Sequence, residues 1–192
     1  MRESNSQQWF WRPLLYHLTN PLISCSNNNL SYFYYFFNIF LQIHKIILGD
    51  TMVVKYTEKE MELLARLMRA EALGEGELGM LMVGNVGVNR IIADCLTFKD
   101  ITSVSKMIYQ SPGGFSGTSS SLFYGNPTEK EKNLAKRVLR GEYYFPATNS
   151  LWFYAPGNNT SCSSTWWDQD FAGRYKNHCF YKPASGLCQE LH

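Results

Sequence analysis

A break at Met52 limits what this 192-residue chain can fold into. Residues 1–51 contain no Ala, no Val and one Gly, yet carry 11 of the 29 aromatics, including the run Tyr32-Phe33-Tyr34-Tyr35-Phe36-Phe37. The residue types encoded by G-starting codons (Val, Ala, Asp, Glu, Gly) number three there (Glu3, Gly49, Asp50), against 43 in the following 141 residues. This is the pattern of A/T-rich intergenic DNA read in frame, and Gly49-Asp50 fits a purine-rich ribosome-binding sequence translated as protein. The expectation is that residues 1–51 are a non-native or disordered extension and that translation starts at Met52. A rival reading makes Leu30 to Leu48 a membrane span, since it has about the ~20 residues required. Asn38, Gln42, His44 and Lys45 interrupt it, and no compact basic region or small-residue cleavage site marks a secretory signal.

The 141-residue remainder is long enough for one buried core. With 18 basic against 16 acidic residues in the whole chain, net charge +2, it lacks the electrostatic footprint of a nucleic-acid binder. Thr57-Glu58-Lys59-Glu60 has the spacing of a capping box and predicts a helix start. Leu64, Leu67 and Met68 then form one stripe, with Glu58, Glu62, Arg66 and Arg69 on the opposite side. Glu71 falls inside the apolar stripe, so this helix ends by aiming a carboxylate at the core side. A carboxyl placed there keeps its proton near neutral pH, as a general acid requires. The alternatives are a fraying helix end or a hydrogen-bonded core anchor. Glu75, one turn later, is similarly aimed but follows Gly74, the expected helix terminator, and also reads as a solvated turn carboxylate.

A second helix is expected from Leu78 to Ile92, with Gly79, Gly84 and Gly87 inviting close approach by a neighbour at roughly 1 kcal/mol each. Asn85 and Asn89 share a face, either lining a polar groove or bonding to loop backbone. A third helix is expected from the Thr128–Glu131 capping box to Gly141, and a strand at Leu151-Trp152-Phe153-Tyr154. Trp166 and Trp167 either stack on sugar rings or close a small core. Beyond Met52 the cysteines are Cys95, Cys162, Cys179 and Cys188. Irregular spacing favours free or buried thiols, with Cys179 to Cys188 the most natural bridge; a zinc site from Cys162, His178, Cys179 and Cys188 has no CxxC pair to support it.

After Met52 the only histidines are His178 and His192, and the sequence contains no HExxH, GxSxG, GxxxxGK[ST] or GxGxxG. Metal-triad, serine-nucleophile and nucleotide chemistries lose their footing, while acid catalysis by a carboxylate survives. Ordinary glycoside hydrolysis uses two carboxylates on opposite faces of the sugar. Glu75 lies on the same side as Glu71, which leaves Asp168 or Asp170 as a distant partner, or a single-acid mechanism in which a hydroxyl of the sugar itself attacks.

The run Glu71-Ala72-x-Gly74-Glu75-x-x-x-Gly79, continuing through Val83 and Val86 to Asn89-Arg90, resembles the signature of the SleB/CwlJ group of spore cortex-lytic cell-wall hydrolases. Ile108-Tyr109-Gln110, Gly114-Phe115, Leu139-x-Gly141, Leu151-Trp152-Phe153-Tyr154 and His178-x-Phe180 follow in the expected order, and the chain is closest to the short branch without a peptidoglycan-binding module. The resemblance covers nearly all of residues 52–192 and none of residues 1–51. It implies a lysozyme-like α+β catalytic domain, mainly helical with a small β element, acting on cortex peptidoglycan during germination. Glu71 is then the general acid of a lytic transglycosylase, with Phe115, Ser116, Tyr154 and His178 along the glycan groove. Glu75, Asn89 and Trp152 complete the expected substrate-binding set, with no metal ligand and no intrinsic cofactor. The resemblance also implies a spore-coat partner protein, calcium dipicolinate as activator, and delivery to the coat–cortex boundary without a secretory signal. The Asn/Ser-rich stretch from Gly157 to Asp170 departs from the longer relatives. An N-acetylmuramoyl amidase and a non-catalytic peptidoglycan-binding coat protein remain as alternatives.

Overall fold

The computed structural model describes residues 52–157 and 160–191, so the expectations for the first 51 residues lie outside the described residues. Helix α1 spans Glu58–Ala72 and begins with the capping box read from sequence: the Glu60 N–H donates to Thr57 Oγ1 (3.3 Å) and the Thr57 N–H to Glu60 Oε2 (3.1 Å). Leu64, Leu67 and Met68 are buried as the periodicity requires. Gly74 does not terminate the helix. α1 stops at Ala72, a 3-10 turn covers Leu73–Glu75, and Gly76 adopts the left-handed φ of 79° that starts α2, Gly76–Ile92, two residues earlier than expected. Gly74 has open space around it, whereas a Cβ at Gly76 would face Lys176 Nζ in a backbone conformation that L side chains avoid.

α2 is buried on every side from Gly79 to Arg90, the pattern of a central helix. Its glycines are contact points. A Cβ at Gly84 would stand 3.0 Å from Val138 and 3.1 Å from Met68 Sδ, and one at Gly87 would stand 2.9 Å from Met107. Those partners lie on the surrounding helices α1, α3 (Val104–Ile108) and α5 (Glu129–Leu139); α4 is the short Ser121–Tyr124. α5 carries the second capping box, Thr128 with Glu131, and Arg69 of α1 donates to Glu131 (3.2 Å) and to the Leu122 carbonyl (2.9 Å), tying α1 to α5 and to α4.

Four antiparallel strands follow, β1 Trp152–Tyr154, β2 Thr165–Trp166, β3 Gln169–Tyr175 and β4 His178–Lys182, in the order β1-β4-β3-β2. His178 to Tyr181 of β4 are buried, and Phe180 packs with Met82 and Val86 of α2, so the sheet covers one side of the central helix. The α+β class, mainly helical with a small β element, is observed. Among the described residues no helix is long and apolar enough to cross a membrane.

The cysteine expectation is overturned. Two disulfides join Cys95 to Cys188 and Cys162 to Cys179, with Cα separations of 5.4 and 5.7 Å. Cys179 sits inside β4, and an extended strand carries the chain about 3.3 Å per residue away from it. Cys188 therefore arrives beside the end of α2, and Cys179 meets the segment that precedes β2. With all four sulfurs bonded, the zinc reading falls as well, and no three His, Cys, Asp or Glu side chains among the described residues converge to hold a metal ion.

Candidate active site

Glu71 is the penultimate residue of α1 and is half-buried. The Gly117 N–H donates to Oε1 at 2.5 Å, and Ser116 Oγ lies 3.4 and 3.5 Å from the two carboxylate oxygens. Both donors belong to the 3-10 turn Ser116–Ser119, which the Gly/Ser-rich connection folds across the end of α1. Burial pushes the Glu71 carboxyl above its ordinary range. The Gly117 and Ser116 hydrogen bonds and the positive charge of Arg90 oppose that shift without cancelling it. Ser116 is exposed, so the carboxyl is both shielded and close to solvent.

Arg90 is the buried cation behind this cluster. Its Nε donates to the Leu151 carbonyl (2.8 Å), its Nη1 to the Gly113 carbonyl (3.1 Å), and its guanidinium lies over the rings of Phe115 (4.2 Å) and Phe98 (4.9 Å). Burial pushes its pKa down to about 10, so it remains charged at neutral pH. Phe115 is a buried shelf for that cation and packs toward Phe153 at 6.1 Å.

The other expected site residues divide. Trp152 borders a cleft of about 520 Å³ together with Arg90, Phe98, Gly113, Trp166 and Trp167. Tyr154 lies on the sheet against Trp166, 4.8 Å between ring centroids. His178, 6% exposed, packs at a tilt against Phe153 at 5.0 Å; its Nδ1 has no hydrogen-bond partner among the described residues, and burial lowers its pKa despite the charge of Glu75. Glu71 is not part of the wall of the 520 Å³ cleft; Arg90 and Phe115 link the two places.

Two residues have other occupations. Asn89 is 1% exposed and its Nδ2 donates to the carbonyls of Ala147, Thr148 and Ser150 (2.9, 3.0 and 2.9 Å), while Asn85 Nδ2 donates to the Glu142 carbonyl (2.7 Å) and Asn85 Oδ1 accepts from the Tyr144 N–H (2.9 Å). Of the two readings of this pair, buried amides bonded to loop backbone is the one observed, because the Asn face of α2 lies under the 142–150 loop. Glu75 is 6% exposed, not a solvated turn carboxylate. It accepts from Asn177 Nδ2 (3.0 Å) and the Asn177 N–H (3.3 Å), and its carbonyl accepts from Lys176 Nζ, so it pins the β3–β4 turn to the start of α2.

Arg90 and Gly117 are the residues that sequence reasoning missed. Arg90 stood at the end of the quoted motif and Gly117 inside a stretch read only as a connection. A Cβ at Gly117 would lie 2.9 Å from Glu71 Oε1, which no local sequence signal announces.

Residues 74–181 match the family model described as Cell Wall Hydrolase, a stretch that begins three residues after Glu71. The chain is 54% identical over 139 residues to the cell wall hydrolase CwlJ of Oceanobacillus iheyensis, covering 72% of this chain and 97% of that one. It is 51% identical over 140 residues to the protein of the same name from Halalkalibacterium halodurans, covering 73% and 96%. Among solved structures it is similar to the catalytic domain of the germination-specific lytic transglycosylase SleB from Bacillus anthracis, with a TM-score of 0.52 and 25% identity, covering 66% of this chain and 97% of that one. With helices around a buried α2, a small antiparallel sheet on one side, and this extent of shared sequence, the chain belongs to the cell wall hydrolase family.

Proposed function

We propose that this cell wall hydrolase cuts the glycan strand of spore cortex peptidoglycan at the muramic acid glycosidic bond, with Glu71 as general acid. The observation that carries the reading is a half-buried carboxyl whose pKa is raised by burial and whose orientation is held by the Gly117 N–H, beside an exposed serine. A general acid needs that combination: a proton available near the operating pH and a fixed direction of transfer. In the reaction the Glu71 proton passes to the glycosidic oxygen as the bond from that oxygen to C1 breaks. The 6-hydroxyl oxygen of the same muramic acid bonds to C1, closing a 1,6-anhydro ring, and its proton returns to the Glu71 carboxylate. No second carboxylate is consumed, consistent with Glu75 being held by Asn177.

Activity during germination, residence at the coat–cortex boundary, a coat partner protein and activation by calcium dipicolinate extend this reading; the family resemblance supports them. The test is digestion of purified cortex fragments by the enzyme and by Glu71→Gln, with the products read by mass spectrometry. Release of anhydro-muropeptides that falls 10²- to 10⁴-fold in the variant is expected. Free stem peptides would identify an amidase instead, equal release by the variant would reject the acid, and binding without release by either protein would favour a non-catalytic wall-binding role.

A further inference from the structure

Trp166 pairs with Gln169 across β2 and β3, so Trp167 and Asp168 form the whole of the connecting loop, with φ of 49° and 61°. Loops of two residues with positive φ at both positions are ordinarily built from Asn-Gly or Asp-Gly, because a Cβ crowds the backbone there. Tryptophan at the first position is a costly choice that the turn does not require. Core packing does not require it either, since Trp167 is 75% exposed. Its indole stacks on that of Trp166 at 4.6 Å and 14°. The two indoles border the 520 Å³ cleft, a volume within the roughly 300–1,000 Å³ of small-molecule sites. Strained backbone that presents a large side chain at the mouth of a cleft is a mark of function.

Gln169, on the wall of the same cleft, braces the turn that presents Trp167. Its Nε2 donates to the Trp167 carbonyl at 3.1 Å, which sets the amide orientation. An exposed indole face, rigidly backed by a second indole at the mouth of a cleft, has the recognition chemistry of a pyranose, whose C–H face is apolar.

We propose that this cleft is a saccharide subsite for the glycan strand, separate from Glu71, in which a sugar ring stacks on the outer face of Trp167, whose inner face is backed by Trp166. The proposal rests on the glycan-cleaving reading above. Arg90 belongs to the wall of the cleft and its charge reaches Glu71, so one buried side chain connects the two places. A strand held in the cleft is positioned along its length, and binding energy from sugars that do not react serves to align the bond that does.

The experiment uses the full chain carrying Glu71→Gln, so that glycan is bound without being consumed, and peptide-free glycan strands prepared from cell wall as the probe. Calorimetry should show affinity falling about 3- to 10-fold on adding Trp167→Ala, with Trp167→Phe restoring most of it. In the enzyme with Glu71 intact, Trp167→Ala should raise KM by the same factor while kcat stays within about twofold. Unchanged affinity in Trp167→Ala, or no binding of peptide-free glycan by the parent, overturns the subsite. So does loss of binding to phosphatidylglycerol vesicles in Trp167→Ala with glycan binding intact, which would make the indoles a membrane contact. Weakened glycan binding with Glu71→Gln still active would keep the subsite and reject the acid; the converse would keep the acid and reject the subsite.

Discussion

The backbone N–H of Gly117 donates to Glu71 Oε1 at 2.5 Å, and the space a side chain would occupy at residue 117 is already filled by the Glu71 carboxylate. A methyl group there would stand 2.9 Å from Oε1 and 3.0 Å from both Cδ and Cγ. The obstructing atoms are the far end of a flexible side chain, so Gly117→Ala should fold, with Glu71 swung aside. Misplacing a reacting group by about 1 Å costs on the order of 10²-fold in rate. The expected result is a loss of that size in kcat with the melting temperature nearly unchanged; undiminished turnover would show that Glu71 is not the acid.

The pH profile follows from the sign of the Glu71 shift. Its folded pKa is raised, chiefly by burial, so the protonated acid is present below that value and is lost as pH rises through it. The alkaline limb of kcat/KM should therefore lie above the ordinary carboxyl range. Ser116→Ala removes a hydrogen bond that favours the ionised form and should move that limb to still higher pH. A limb that moves down would reverse the assignment.

Stability obeys the same linkage. Between the unfolded and the raised folded pKa of Glu71 the native state binds more protons than the unfolded one, so stability falls as pH rises across that window. Glu71→Gln has no such proton to lose. Denaturant melts should show the variant gaining on the parent from acid to neutral pH, and a constant difference would contradict a buried carboxyl.

Asn89→Ala tests whether that residue is architectural. Its Nδ2 serves three carbonyls of the 147–150 segment, and leaving buried acceptors unpaired costs about 1–3 kcal/mol. The variant should melt earlier by a corresponding amount while KM of the folded fraction holds. A raised KM at unchanged stability would return Asn89 to the glycan groove.

The disulfides make an unequal pair. Chain-entropy arithmetic gives about 4.5 kcal/mol for Cys95–Cys188, which spans 93 residues, and about 3 kcal/mol for Cys162–Cys179, which spans 17. Peptide mapping without reductant should recover these two links and no Cys179–Cys188 peptide. Replacing Cys95 and Cys188 together by Ser should destabilise the protein more than replacing Cys162 and Cys179.

Much of the helical frame was legible because its signals are local. The two capping boxes, the Leu64-Leu67-Met68 stripe and the glycines of α2 each concern residues within one or two turns, and helix geometry alone decides which of them share a face. Glu71 was legible for the same reason, as a carboxylate on an apolar face. The ends of elements were less so: Gly76, and not Gly74, breaks the chain between α1 and α2, because the choice depends on Lys176 and the turn packed against it from the far end of the sequence.

By itself the sequence determined the three long helices, their buried faces, the placement of Glu71 on an apolar face and the membership of a family. Only the tertiary structure decided which residues meet: Gly117 with Glu71, Asn177 with Glu75, Asn89 with the loop at 147–150, and Cys95 with Cys188. These contacts join residues 46 to 102 positions apart. Periodicity describes the face a residue turns, and the partner on that face is set by how helices and strands pack once the core has closed.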